Sequence, residues 1–524
     1  MRRTAFATLL AVAFALALAP PARAGGDFNG DGFDDAAIAA PFDPVLGAPT
    51  GSVSVLYGSG AGFGALSAPP SQLLTAFHFG LVPRQRDDFG AALAIGDFDG
   101  DGFGDLAIGI PGRELASFPD AGAVGVVHGT PFGLDLDRVQ LWTQASRGVK
   151  DEPEPAADVA GRGDELGCGL AAGDFDGDGR DDLAIGACGE DVGAVENAGA
   201  VHVLRGTKKG LKAKKNQLWT REALLGSGAE SGLLGDALAA GDFDGDGFDD
   251  LAMGGWLTRT EGFATGAVDV LRGSKKGLAA AGHLPLDPVT LLGVDPDSFF
   301  FGNALAAGDF DGDGADDLAI GAPGTDVAAV SSAGAAHVVY GATGGGLDVA
   351  TVESWDEVAV PTGAFGSFDQ LGSSLAAGDF DSDGRDDLAI GIPFADVAGL
   401  GSAGEALVLR GGPGGLTALA FEAWSQDAMD VGGAVEASDF FGYALAAGDY
   451  DGDGAVDVLV GCPGEAVGTV GGAGAVIALY GDEGGSGLTA TGNDVLSRGG
   501  TVDSTDGLEG VPLQDASLGR ALAP

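Results

Sequence analysis

Along the chain, short apolar runs with a period of two alternate with clusters of Asp and Gly, and the order repeats. The stretch "FGNALAAGDFDGDGADDLAIGAPG", from Phe301 to Gly324, shows the unit. Apolar and small or polar residues alternate on either side of the acidic cluster and stop at Gly, Asp or Asn, which predicts strands. A variable Gly/Ala-rich connection leads to a third run such as "GAAHVVYG" or "GAVHVLRG", then a tight turn such as "TKKG", then a fourth run often containing Trp, as in "NQLWT". No stretch of helical period and length intervenes.

The acidic cluster occurs seven times, as "DFNGDGFDD" from Asp27, "DFDGDGFGD" from Asp97, "DFDGDGRDD" from Asp174, "DFDGDGFDD" from Asp242, "DFDGDGADD" from Asp309, "DFDSDGRDD" from Asp379 and "DYDGDGAVD" from Asp449. Starts are 67 to 77 residues apart. Four short antiparallel strands per repeat, seven times over, predict an all-β, seven-bladed β-propeller of four-stranded blades. The first cluster has no "FGxALA" strand before it, and "LGRALAP" from Leu518 matches the missing piece. The C-terminal strand, residues 518–523, is therefore expected to complete the first blade and close the ring, which also removes an exposed sheet edge.

Within each cluster, side-chain oxygens stand at positions 1, 3, 5 and 9, and Gly at position 6 permits the sharp turn. These positions are Asp27, Asn29, Asp31 and Asp35; Asp97, Asp99, Asp101 and Asp105; Asp174, Asp176, Asp178 and Asp182; Asp242, Asp244, Asp246 and Asp250; Asp309, Asp311, Asp313 and Asp317; Asp379, Asp381, Asp383 and Asp387; Asp449, Asp451, Asp453 and Asp457. Hard oxygen donors at this density suit calcium, up to seven ions, one per blade. An EF-hand would need Glu at position 12, where Ile38, Ile108, Ile185, Met253, Ile320, Ile390 and Val460 stand. The bland alternative is a set of Asx and Gly turns with solvated carboxylates, but seven copies of one carboxylate pattern repel themselves and call for a cation.

The charge supports that reading. The chain of 524 residues has a formal net charge of -51, with 26 Lys and Arg against 77 Asp and Glu. Nucleic acid and anionic membrane surfaces are not expected partners, because both need a basic footprint. Residues 1–24 read as a secretory signal: Arg2 and Arg3, an apolar run from Ala5 to Ala19, then "ARA". The expectation is an exported chain, secreted or periplasmic, with a propeller over residues 25–524 and no membrane insertion after processing.

The "FG" of "FGNALA" and the "GAP" of "IGAPG", flanking a "DxDxDGxxD" loop, resemble the FG-GAP repeats of the integrin α-subunit N-terminal propeller. That resemblance covers essentially residues 25–524. It implies calcium loops between the first two strands of each blade on one face of the ring, and ligands on the opposite face. One feature departs from the integrin pattern, in that every blade carries a loop, and the stalk, membrane and tail segments of integrin α-subunits are not expected here.

Other features carry less. Cys168 and Cys188, symmetric about Asp178, either pair across a hairpin or remain as buried thiols; Cys462 stands alone. His202 and His337 occupy one repeat position and His128 ends a similar run, so repetition explains them. "GRGDELG" contains Arg162, Gly163 and Asp164, the tripeptide integrins recognise, although Asp164 also falls where Asp87, Asp369 and Asp439 do. Trp142, Trp219, Trp355 and Trp424 are expected to pack within blades, while Trp256, Phe118 and Phe394 either pack or offer a binding face. The sequence thus points to an exported, calcium-binding, non-catalytic recognition or adhesion module for protein or glycan. The alternative is a secreted calcium-dependent hydrolase or lyase acting on polysaccharide or phospholipid.

Overall fold

The computed structural model describes residues 26–523 apart from 46–47, 64–69, 117, 151–152, 154–162, 227–231, 261–262, 294–297, 329, 357, 361–365, 429–433, 483 and 498–516. The expected leader, residues 1–24, lies outside the described residues. Seven four-stranded antiparallel sheets form a seven-bladed propeller. Blades two to seven each take their four strands in chain order; blade five, for example, runs Leu305–Gly308, Asp317–Ala322, Ala335–Val339 and Val352–Trp355, and in blades four and five two-residue strands of separate small sheets lie between the second and third strands. Blade one takes its innermost strand from the other end of the chain: Ala521–Ala523 pairs with Ala36–Ala40, with Ile38 opposite Leu522. The ring closes as the repeat arithmetic requires.

Alanine and glycine in the innermost strands explain how seven sheets meet around one axis. These strands touch from blade to blade all the way round. A Cβ built on Gly96, Gly173, Gly241 or Gly308 would fall within about 3 Å of Ala172, Ala240, Ala307 or Ala377 on the next blade, so larger residues would push the strands apart. Between blades the aromatic residue at position 2 of each loop fills the gap. Phe28, Phe98, Phe175, Phe243, Phe310, Phe380 and Tyr450 are all buried to within 1%. Each such side chain contributes about 1.5–3 kcal/mol.

One-turn helices are the elements that periodicity misses. Arg221–Leu225 and Pro288–Leu292 follow the fourth strands of blades three and four. Each depends on its caps: Thr220 accepts from the Ala223 N–H, Asp287 from those of Val289 and Thr290, and Gly226 and Gly293 end them in the left-handed region. Five residues are too few to show a 3.6-residue period. Cys168 and Cys188 are joined in a disulfide, their Cα atoms 6.3 Å apart, while Cys462 is a buried free thiol.

A second regular contact locks neighbouring blades at their rims. The residue closing the third strand reaches over a glycine in the 3–4 turn of the next blade. Tyr57, His128, Arg205, Arg272, Tyr340, Arg410 and Tyr480 meet Gly133, Gly210, Gly277, Gly346, Gly415, Gly487 and Gly62 in that order, the last pair spanning the closure. All seven glycines have positive φ. At Gly415, φ is +100° and a Cβ would overlap the Tyr340 hydroxyl, whereas Gly399, with φ +83°, faces open space. Gly415→Ala is expected to cost roughly 1–3 kcal/mol in chemical denaturation and more than Gly399→Ala, which carries backbone strain alone; equal losses would refute the interlock.

Candidate metal loops on one face of the ring

Each acidic loop joins the first and second strands of its blade, and its shape follows from where its backbone N–H groups go. The position 1 carboxylate accepts them: Asp309 takes Gly312 and Asp313 on Oδ1 and Gly314 on Oδ2, at 2.8, 3.0 and 3.0 Å. Asp27, Asp97, Asp174, Asp242, Asp379 and Asp449 likewise accept on both oxygens, from the N–H of position 4 or 5 and from that of position 6. The position 5 carboxylate accepts from position 7, as Asp31 does from Phe33 at 3.1 Å. The turn chemistry of the bland reading is therefore present, and it uses the residues that the cation reading needs. A carboxylate has about four lone-pair sites, so these bonds leave acceptor capacity unused.

Position 9 is the deepest. Asp35, Asp105, Asp182, Asp250, Asp317, Asp387 and Asp457 are 0–2% exposed. Each accepts from the backbone N–H of the glycine just past the third strand, Gly58, Gly129, Gly206, Gly273, Gly341, Gly411 or Gly481, at 2.7–2.9 Å. Four also accept from position 2. Desolvation pushes these carboxyls up: Asp35 to about 9, Asp182, Asp250, Asp317, Asp387 and Asp457 to about 8, and Asp105, beside His128, to about 6.

Position 3 divides the loops. Asp99 meets Arg138, Asp176 meets Arg205, Asp244 meets Arg272 at 2.5 Å, and Asp381 meets Arg410. In blades one, five and seven a tyrosine, Tyr57, Tyr340 or Tyr480, ends the third strand where blades three, four and six have arginine. These tyrosines turn their hydroxyls to fourth-strand side chains, such as Glu353 at 2.6 Å for Tyr340. Asn29 makes blade one different again, with a buried amide Nδ2 that meets no acceptor.

The residues fit a hard dication. In loops two, three and four, oxygens of positions 1, 3 and 5 lie within 4.8 Å of one another. At an effective dielectric of about 20 that spacing costs roughly 3 kcal/mol per charged pair before screening. Buried oxygens without a hydrogen-bond donor remain on Asp176 and Asp182 in loop three, Asp244 in loop four and Asp387 in loop six. Oxygen-only donors with spare lone pairs suit calcium better than zinc or copper.

Sequence reasoning missed position 8. Its N–H donates to the position 1 carbonyl of the preceding loop all round the ring: Asp34 to Asp449, Gly104 to Asp27, Asp181 to Asp97, Asp249 to Asp174, Asp316 to Asp242, Asp386 to Asp309 and Val456 to Asp379, at 2.8–3.3 Å. Where position 8 is Asp, its carboxylate also accepts the position 1 N–H of that loop, as Asp386 does from Asp309 at 3.0 Å. The "DD" doublet was the available signal. Burial pushes Asp34 and Asp386 up to about 6 and Asp181 to about 7.

The seven matched segments of the FG-GAP repeat fall on this geometry, at residues 23–56, 89–127, 169–204, 234–271, 301–339, 371–409 and 441–479, each holding one acidic loop and the strands beside it. The chain belongs to the FG-GAP repeat family. The FG-GAP chain is similar to integrin alpha-PS2 of Drosophila melanogaster, 32% identical over 297 residues, covering 55% of this chain and 18% of the integrin. It is similar also to integrin alpha-5 of Xenopus laevis, 30% identical over 253 residues, covering 47% and 21%. A third relative is phosphatidylinositol-glycan-specific phospholipase D of Rattus norvegicus, 35% identical over 173 residues, covering 32% and 19%. The match thus spans about a fifth of each relative. Among solved structures, a rhamnogalacturonan lyase of Bacillus licheniformis overlaps with a TM-score of 0.36 and 13% identity, covering 78% of this chain and 74% of the lyase; an overlap so loose carries no argument.

Other features of the FG-GAP propeller resolve by packing. Asp164 is 3% exposed, so the tripeptide does not present its carboxylate; Arg162 lies outside the described residues. Trp256 is 8% exposed and stands edge-on to Phe300 at 5.0 Å, and Phe394 meets Phe440 in the same way at 5.5 Å. Trp142, Trp219, Trp355 and Trp424 end fourth strands and lie against the core clusters. His337 is buried and held neutral, its pKa lowered to about 4 by desolvation. No helix among the described residues is long and apolar enough to cross a membrane.

The raised carboxyls set a pH dependence. A folded pKa above the unfolded value means the group supplies stability below about 4 and loses it as pH rises through the folded pKa. In divalent-free buffer the melting temperature is expected to climb as pH is lowered from about 9 to about 6. A melt that falls across that window would contradict the assigned burial.

Proposed function

We propose that this FG-GAP propeller is an exported, calcium-stabilised recognition module that binds a protein or glycan through the variable 2–3 connections on the face opposite the acidic loops. The observation that carries the reading is the sevenfold placement of buried carboxylates whose oxygens, in loops three, four and six, lack hydrogen-bond donors. Positions 1, 3, 5 and 9 of each loop would hold the ion: for example Asp309, Asp311, Asp313 and Asp317, or Asp27, Asn29, Asp31 and Asp35. Bound calcium supplies positive charge that offsets the repulsion among these groups. The residues themselves tie strand one to strand two, and through position 8 each loop to its neighbour. A rigid ring of loops then leaves the far-side connections free to vary in sequence without loss of fold. The leader sequence supports export, and the integrin relatives support a binding role.

A screen of the full mature chain against matrix proteins, polysaccharides and cell surfaces, with and without calcium, tests the function. Calcium-dependent retention of an intact partner is expected; cleavage of the partner would overturn the reading in favour of an enzyme.

Calcium binding itself has two readouts. With loop affinities of about 0.1–1 mM, each occupied loop adds about 1.4 kcal/mol at ten times its Kd, so chelation lowers the melting temperature. Guanidinium groups already sit on position 3 in loops two, three, four and six, so a calorimetric calcium titration is expected to resolve tighter and weaker classes. Arg272→Gln moves loop four toward the tighter class. An unchanged melt in chelator would end the calcium reading, whereas seven equal sites would end only the division into classes.

A further inference from the structure

The two kinds of basic side chain are used differently. Of the arginines, Arg84, Arg113, Arg138, Arg180, Arg205, Arg221, Arg272, Arg385 and Arg410 form ion pairs with carboxylates of this chain. The eight lysines all lie between Lys150 and Lys276. Seven of them stand on two adjacent blades: Lys208, Lys209, Lys212, Lys214 and Lys215 on blade three, and Lys275 and Lys276 on blade four. All seven are exposed. Among the described residues none of the seven forms an ion pair, although the chain carries 77 acidic groups.

These lysines share one sector. Lys208 and Lys209 make the 3–4 turn of blade three, on the same face as the acidic loops, and the strand Lys212–Trp219 is the outer edge of that blade. Lys275 and Lys276 make the corresponding turn of blade four. That turn is clamped onto the blade three edge: Gln217 donates to the Leu278 carbonyl at 2.6 Å and accepts from its N–H at 3.0 Å. A register shift between Val203 and Arg205 puts Lys214 and Lys215 in a bulge, a device that re-aims side chains. Lysine on an edge strand can serve merely to block pairing with another sheet. That need is common to every blade, yet the fourth strands "DLDRVQLW", "AAAGHLPL", "TALAFEAW" and "TATGNDVL" contain no lysine. The lysines answer to something particular to this sector.

We propose that the rim of blades three and four is a docking surface for an acidic polysaccharide. Lys212, Lys214 and Lys215 set positive charges along the outer edge of blade three, and the two turns continue the row. Lysine is a compact, strongly hydrated point charge on a flexible stem, which suits carboxylate or sulfate groups carried at intervals along a chain. Base stacking would need exposed aromatic side chains, and among the residues whose burial is described the strongly exposed ones, Phe77, Phe132 and Phe368, lie on other blades. The surrounding acidic surface repels polyanions elsewhere and so restricts docking to this sector. The inference does not depend on cation binding by the loops.

The test uses the full mature chain with immobilised hyaluronate, which bears carboxylates, and heparin, which bears sulfates, alongside single-stranded DNA. Binding to at least one glycan is expected at low salt, fading as salt shortens the Debye length. Lys208→Gln, Lys209→Gln, Lys275→Gln and Lys276→Gln combined are expected to weaken it at least tenfold with no change in melting temperature. A second variant, Lys212→Gln with Lys214→Gln and Lys215→Gln, is expected to do the same. The arm that loses affinity identifies the acidic group. Failure to bind either glycan at low salt, binding unchanged in both variants, tighter retention of DNA, or a low-salt oligomer dispersed by the same substitutions would each overturn the proposal, the last by making a second copy the occupant.

Discussion

Seven acidic loops are pressed edge to edge into one ring, and the rest of the architecture has to accommodate that. Position 8 of every loop donates its N–H to the position 1 carbonyl of the loop before it, so no loop can move far without disturbing two blades. The same contact concentrates carboxylates. Four ways of meeting their charge are visible in the chain: backbone N–H groups on position 1, guanidinium groups on position 3 in four loops, protonation favoured at buried position 9, and spare oxygens suited to a hard cation. The first two are built from this chain; the last two depend on the medium.

The interlock at the rim and the ring of loops are joined through the residue that ends the third strand. Arg410 touches Asp381 in its own loop, Glu422 on the fourth strand and the Ser486 carbonyl of the next blade. Tyr340 spans the same gap in blade five but leaves Asp311 to the loop. A single position therefore carries blade-to-blade packing everywhere and loop charge in some blades. Loops of near-identical sequence thus sit in different electrostatic surroundings, a difference that the loop residues by themselves do not contain.

The surplus of acid also makes sense of how basic residues are spent. Nine arginines, each with a planar fork suited to carboxylates, pair with acidic groups of this chain. Seven of the eight lysines are left on one sector of the rim. A chain with so negative a field gains strong directional contrast from a small basic patch, because any polyanion is repelled from all other approaches.

Much of this was legible in sequence because a repeat averages out local ambiguity. Seven copies of one alternation establish strand count, blade count and the loop positions 1, 3, 5 and 9, and "LGRALAP" identifies the closing strand. The one-turn helices at Arg221 and Pro288 escaped because capping, not periodicity, makes them. The disulfide, the burial of Asp164 and the packing of Trp256 against Phe300 were open alternatives, since each depends on what a neighbouring loop places opposite. The sequence by itself determined the repeat, and with it the fold, because hydrophobic period and turn chemistry act within a few residues. Only the tertiary structure decided which charges meet: Arg272 lies 28 residues from Asp244 and Asp309 lies 77 from Asp386, and electrostatics at those separations follows distance in space and burial, which exist only once the ring has closed.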